Sequence, residues 1–115
     1  MNIRNAILST ASLYEARPIS LDFTQFTVPP DPARPSCPLA LIGYYLDMKP
    51  CIDSSAVAAR LIPDGREGFT AQSQFFHRLD AVVGTNKWVD DAALCAKALR
   101  YYADMYHSED VRIAA

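Results

Sequence analysis

A chain of 115 residues, half of them hydrophobic and 21% charged, has the size and make-up of one globular domain; two halves would each be too small for a proper core. The formal net charge is −2 and the eleven basic residues are scattered from Arg4 to Arg112, which excludes the basic stripe of a non-specific nucleic-acid binder. No apolar run approaches the ~20 residues of a membrane span, and "MNIRNAILSTASLYEA" lacks a secretory leader pattern, so a cytoplasmic protein away from the membrane is expected.

Residues 2–16 read as a first helix. Asn2 is placed to cap it, and Ile3, Ala6, Ile7, Thr10, Leu13 and Tyr14 recur along one face. Arg17-Pro18 ends it, because the residue before proline is pushed out of the helical region. Six of the eight prolines fall between Pro18 and Pro38, so residues 18–37 are expected to form a proline-rich connector. Within it, Ile19–Val28 is rich in β-branched and aromatic residues, and Leu21, Phe23, Phe26 and Val28 are anchors that favour an ordered, extended wrap.

Pro38 suits the first turn of a second helix, which needs no N–H there. Leu39, Leu41, Ile42, Tyr44, Tyr45, Leu46 and Met48 cover every side of it, which places it in the middle of the domain. "DSSAVAARLI" predicts a short third helix capped by Asp53 or Ser54, and Pro63-Asp64-Gly65 a turn. Thr70 is expected to cap a fourth helix, ended by Gly84 in a left-handed conformation. After "TNKWV", Asp90 and Asp91 open a fifth helix that reaches about His107, with 108–115 a frayed tail. The expectation is an all-α fold, five helices in one domain spanning 1–115.

Chemistry is sparse in this pattern. Cys37 stands at a helix start, where the dipole can lower a thiol pKa, but a cysteine nucleophile also needs a histidine base in reach. His77 points away from the apolar face of its helix and His107 sits at the end of the last one. Cys37 therefore reads as a cap without unusual reactivity, with a small cysteine-dependent hydrolase or transferase as the alternative. The closest Cys/His pair, Cys95 and His107, lies twelve residues apart, far from the short spacings of zinc ligands. The odd cysteine count suggests no disulfide framework. No phosphate loop is present: "GREG" lacks the lysine and the preceding strand. No catalytic residue, metal or cofactor is expected.

Three short motifs carry a resemblance: the opening "IRNAILSTASL", the central "CPLALIG", and "WVDD" before a final alanine-rich helix. Together they resemble a group of small bacterial and phage helical domains of unknown function. Those domains show an opening helix, a Cys-x-x-Gly-like centre and Trp-Asn-Asp before the last helix. Val89 and the proline-rich segment depart from that pattern, and the resemblance implies no activity.

What remains is surface. Aromatic doublets occur at Tyr44-Tyr45, Phe75-Phe76 and Tyr101-Tyr102, where one ring can enter the core and its neighbour reach the edge. The apolar positions of the last helix span more than one core stripe, so its edge, centred on Tyr102 and Tyr106, is the expected site for a protein partner or a second copy. Tyr45 and Trp88 complete the candidate set, although a lone tryptophan between helices more often plugs the core. The implied function is a small non-enzymatic module that occupies a partner's surface. Phage-encoded inhibitors of host machinery, anti-CRISPR proteins among them, share this size and composition.

Overall fold

The computed structural model describes residues 2–16, 37–49, 53–62, 68–89 and 91–108, and of 68–70 the backbone alone. The expected wrap at Ile19–Val28, the turn at Pro63-Asp64-Gly65 and the tail beyond Ser108 lie outside these residues. Five helices occur in the described chain: α1 (Ile3–Ala16), α2 (Pro38–Asp47), α3 (Ser54–Leu61), α4 (Gly68–Val83) and α5 (Ala92–Tyr106). No strand is present among the described residues, and the fold is all-α.

The helix ends follow local chemistry. Asn2 Oδ1 accepts from the Asn5 N–H at 2.7 Å, capping α1. Asp53 accepts from Ser55 and Ala56 at the start of α3, and Asp91 from Leu94 at the start of α5. Cys37 is the cap residue of α2 in extended conformation; its carbonyl accepts from Leu41, while its side chain makes no capping bond. Thr70 is not a cap: α4 begins two residues before it, at Gly68. Gly84 ends α4 with φ of 108°, a conformation open to glycine because it lacks a Cβ.

Each helix packs on its sequence neighbours, and the last packs on the first, so the contacts run in a closed ring α1–α2–α3–α4–α5–α1. In that ring α2 takes one place, between α1 and α3, and is buried from Pro38 to Gly43 and again at Leu46. The α1–α5 seam closes the ring. It buries Ala6, Ile7, Ala11 and Tyr14 from one helix and Cys95, Ala96, Leu99 and Ala103 from the other within the same core. Two ion pairs finish the seam at the surface: Arg100 with Glu15 at 2.6 Å and Arg4 with Asp104 at 2.7 Å.

Candidate protein-docking site

The last turn of α5 divides its aromatics between inside and outside. Ala92, Cys95, Ala96, Leu99, Tyr102 and Ala103 face the core, and that register turns Tyr101 and Met105 outward. Tyr102 is 1% exposed. Its ring meets Phe75 edge-on at 5.0 Å and its hydroxyl donates to the Leu61 carbonyl at 2.8 Å. The expectation that Tyr102 sits at an exposed edge is therefore corrected: it is a core residue.

Leu61 ends α3, where a carbonyl has no partner within its own helix. Tyr102 supplies one, and His107 a second: its Nε2 lies 3.1 Å from the same oxygen. A carbonyl only accepts, so Nε2 carries the proton. His107 is thus buried at 6% exposure and bonded, although it stands at the end of the last helix.

Trp88 is likewise inside, at 2% exposure. Its indole N–H donates to Asp80 Oδ1 at 2.7 Å and its ring packs on Phe76 at 5.3 Å. The same carboxylate oxygen accepts from the Asn86 N–H at 3.0 Å. Asp80 therefore ties the α4–α5 link to α4, and Trp88 works as a plug rather than an anchor. His77, exposed beside it, has Nδ1 4.0 Å from Asp80 Oδ2.

Tyr45 is half-buried, and that burial holds its hydroxyl pKa above the ordinary value. It lines a shallow groove of about 560 Å³ against Leu8, Ser12 and Leu13 of α1. This groove shares no residue with the surface of α5.

Four large hydrophobic side chains stand exposed among the described residues: Met48, Tyr101, Met105 and Tyr106. Three of them lie together at the end of α5. With Ala81, Val82 and Arg78 of α4 they line a groove of about 300 Å³ between the two helices. Tyr106 lies against Tyr102, ring centroids 4.7 Å apart, so the groove floor rests on the core. The Arg78 guanidinium sits over the Tyr106 ring at 4.4 Å and directs one N–H at the Tyr102 hydroxyl, at a long 3.5 Å. Of the four proposed anchors, only Tyr106 belongs to this groove as an exposed residue. Tyr101, Met105 and Arg78 are its missing partners. One signal pointed to Tyr101: it follows Lys97 by one turn, and Met105 follows it by another, on the face of a charged residue.

The described cysteines lie away from this groove. Cys37 and Cys95 are buried thiols. Burial, with Cys37 a lesser cause, pushes the Cys95 thiol up, and burial with both cysteines nearby does the same to the Tyr14 hydroxyl. A reactive cysteine needs an accessible, stabilised thiolate; Cys37 is 1% exposed. No group of three or more His, Cys, Asp or Glu able to hold a metal occurs among the described residues. Nor is any described helix long and apolar enough to cross a membrane.

These features define an all-α fold with an amphipathic groove between its last two helices. No family model, curated protein or solved structure matches the chain, so a functional reading rests on this geometry.

Proposed function

We propose that the chain is a non-enzymatic protein-binding module that occupies a partner's surface through the α4–α5 groove, in the manner of phage-encoded inhibitors of host machinery such as anti-CRISPR proteins. The observation that carries it is the gathering of three exposed large hydrophobics, Tyr101, Met105 and Tyr106, around one groove. Exposed apolar side chains scattered singly need no explanation, whereas contiguous ones mark interaction surfaces. Tyrosine and methionine are also the residue types enriched at interfaces, the first rigid and amphipathic, the second adaptable. A cytoplasmic setting suits the buried thiols, since a reducing compartment leaves them as they are.

The test compares the wild-type chain with Tyr101→Ala/Met105→Ala as bait in extracts of its native host, each captured protein then being titrated in purified form. Loss of an interface anchor costs about 2 kcal/mol or more, roughly a thirtyfold loss of affinity. The double variant is expected to keep its helical circular dichroism and lose binding by that factor. A partner bound equally well by both would place the interface elsewhere. The alternative reading, chemistry at Cys37, predicts that Cys37→Ser abolishes activity while sparing the fold; a binder keeps its activity.

A further inference from the structure

The described arginines are not equivalent. Arg4 pairs with Asp104, Arg60 with Asp47 and Arg100 with Glu15, each carboxylate within 3.0 Å. Arg78 is the exception. Among the described residues no carboxylate meets it, and its neighbours are the Tyr106 ring face and the Tyr102 hydroxyl. It is also half-buried, in a groove whose other described walls are the apolar Ala81, Val82 and Met105 and the tyrosines. A guanidinium held over an aromatic ring is already restrained, so part of the entropy of fixing it has been lost before a ligand arrives. Its planar N–H fork suits a carboxylate, which can accept two of its hydrogen bonds at once.

Resting on the docking function proposed above, we infer that the α4–α5 groove recognises an acidic side chain, Asp or Glu, set beside an apolar one on a protein partner. The carboxylate pairs with Arg78, and the apolar neighbour packs on Tyr101 and Met105. Three observations select this occupant. The groove is about 300 Å³, at the lower end for a whole small-molecule site and suited to one or two inserted side chains. Among the described residues Arg78 is the one cation lining it, which matches a single negative charge and leaves a phosphate dianion half neutralised. Capture of a chain-terminal carboxylate uses backbone N–H groups, and the groove walls are helix interiors whose N–H groups are already bonded within α4 and α5.

A random linear peptide display library, selected on the intact protein, tests this. Selected peptides should be enriched in Asp or Glu next to Phe, Leu, Ile or Met. A synthetic peptide from that selection should lose about tenfold or more in affinity for Arg78→Gln, since charge-assisted bonds are the strong ones. Changing the peptide's own acid to its amide should give the same loss. Combining both changes should add little, because they remove one interaction. Arg78→Lys, which keeps the charge and loses the fork, should fall between, and serves if Arg78→Gln is poorly folded. Raised salt should weaken wild-type binding more than that of Arg78→Gln.

Peptides without acidic enrichment, or additive losses, would overturn the carboxylate inference. The docking function would still stand if Tyr101→Ala/Met105→Ala abolished their binding. Peptides indifferent to that double variant would overturn both. Binding to phosphatidylserine vesicles that depends on Arg78 while no peptide is selected would assign the groove to a lipid surface, and the inference would fall.

Discussion

Tyr101 and Tyr102 are neighbours in sequence, and the roughly 100° between successive side chains on a helix gives them opposite lives. Tyr102 fills the core and satisfies the carbonyl that ends α3; Tyr101 is 48% exposed at the groove. Their substitutions should separate accordingly. Tyr102→Phe keeps the ring and removes one of two donors to Leu61, so a loss of about 1 kcal/mol is expected in chemical denaturation, with His107 limiting the damage. Tyr102→Ala adds a cavity and should cost about 3–5 kcal/mol. Tyr101→Ala should stay within about 0.5 kcal/mol of wild type, as exposed substitutions do. Equal destabilisation by Tyr101→Ala and Tyr102→Ala would contradict this assignment of inside and outside. The doublet itself was legible from the chain. Which ring faces inward was less so, because alanine at 92, 96, 98 and 103 weakens the contrast between apolar and polar faces.

At the scale of elements, the decisive piece is the link between α4 and α5. It sets the angle at which α5 leaves α4, and therefore the width of the groove between them. Three devices hold it. Gly84 takes φ of 108°, Asn86 takes φ of 59°, a region that asparagine tolerates, and Asp80 accepts from both Trp88 and Asn86. A Cβ added at Gly84 would sit 3.0 Å from Lys87 Cδ, a flexible chain that can swing away, so the backbone decides the outcome. Gly84→Ala should destabilise by about 1–2 kcal/mol through its positive φ. Because the strain acts on the link, peptide binding at the groove should weaken as well. An alanine variant as stable as wild type would show that the link relaxes without cost. The glycine stop was readable from sequence. The Asp80–Trp88 bond was not, since any of several polar groups could have met the indole N–H.

For the whole molecule, the ring closes where the first and last helices meet, at the α1–α5 seam. Arg100 donates to Glu15 through two nitrogens, at 2.8 and 2.6 Å, and also to Ser12 at 3.0 Å. The hydrogen bonds from Arg100 hold the Glu15 carboxyl below its ordinary value of 4.5. A folded-state pKa below the unfolded one means the pair stabilises fully above the ordinary value, and that this support is lost as pH falls through the lowered one. The Arg100 and Glu15 side chains are 40% and 44% exposed, so solvent screening keeps the contribution to at most ~1 kcal/mol. Glu15→Gln should therefore be less stable than wild type at neutral pH by up to that amount, and the difference should vanish in acid below the carboxylate range. High salt should shrink it too. A gap that persists in strong acid would mean that Glu15 acts through packing and not through its charge.

What the amino-acid sequence determined by itself was the kind of object: an all-α domain with five helices, most of their boundaries, and the caps Asn2, Asp53 and Gly84. These are local matters. Hydrophobic spacing, a proline at a helix start and a side-chain oxygen three residues before an N–H act over one turn of chain, so they are written in consecutive residues. Tertiary structure alone decided that His107 is buried, that Leu61 receives the side chains of Tyr102 and His107, and that Arg78, alone of the described arginines, meets no carboxylate among the described residues. Each depends on residues up to 46 positions apart being brought together by the closing of a ring, and no local spacing encodes that. The candidate site belongs to this second kind: Tyr106 was visible as a surface aromatic, but the groove exists only where α4 meets α5.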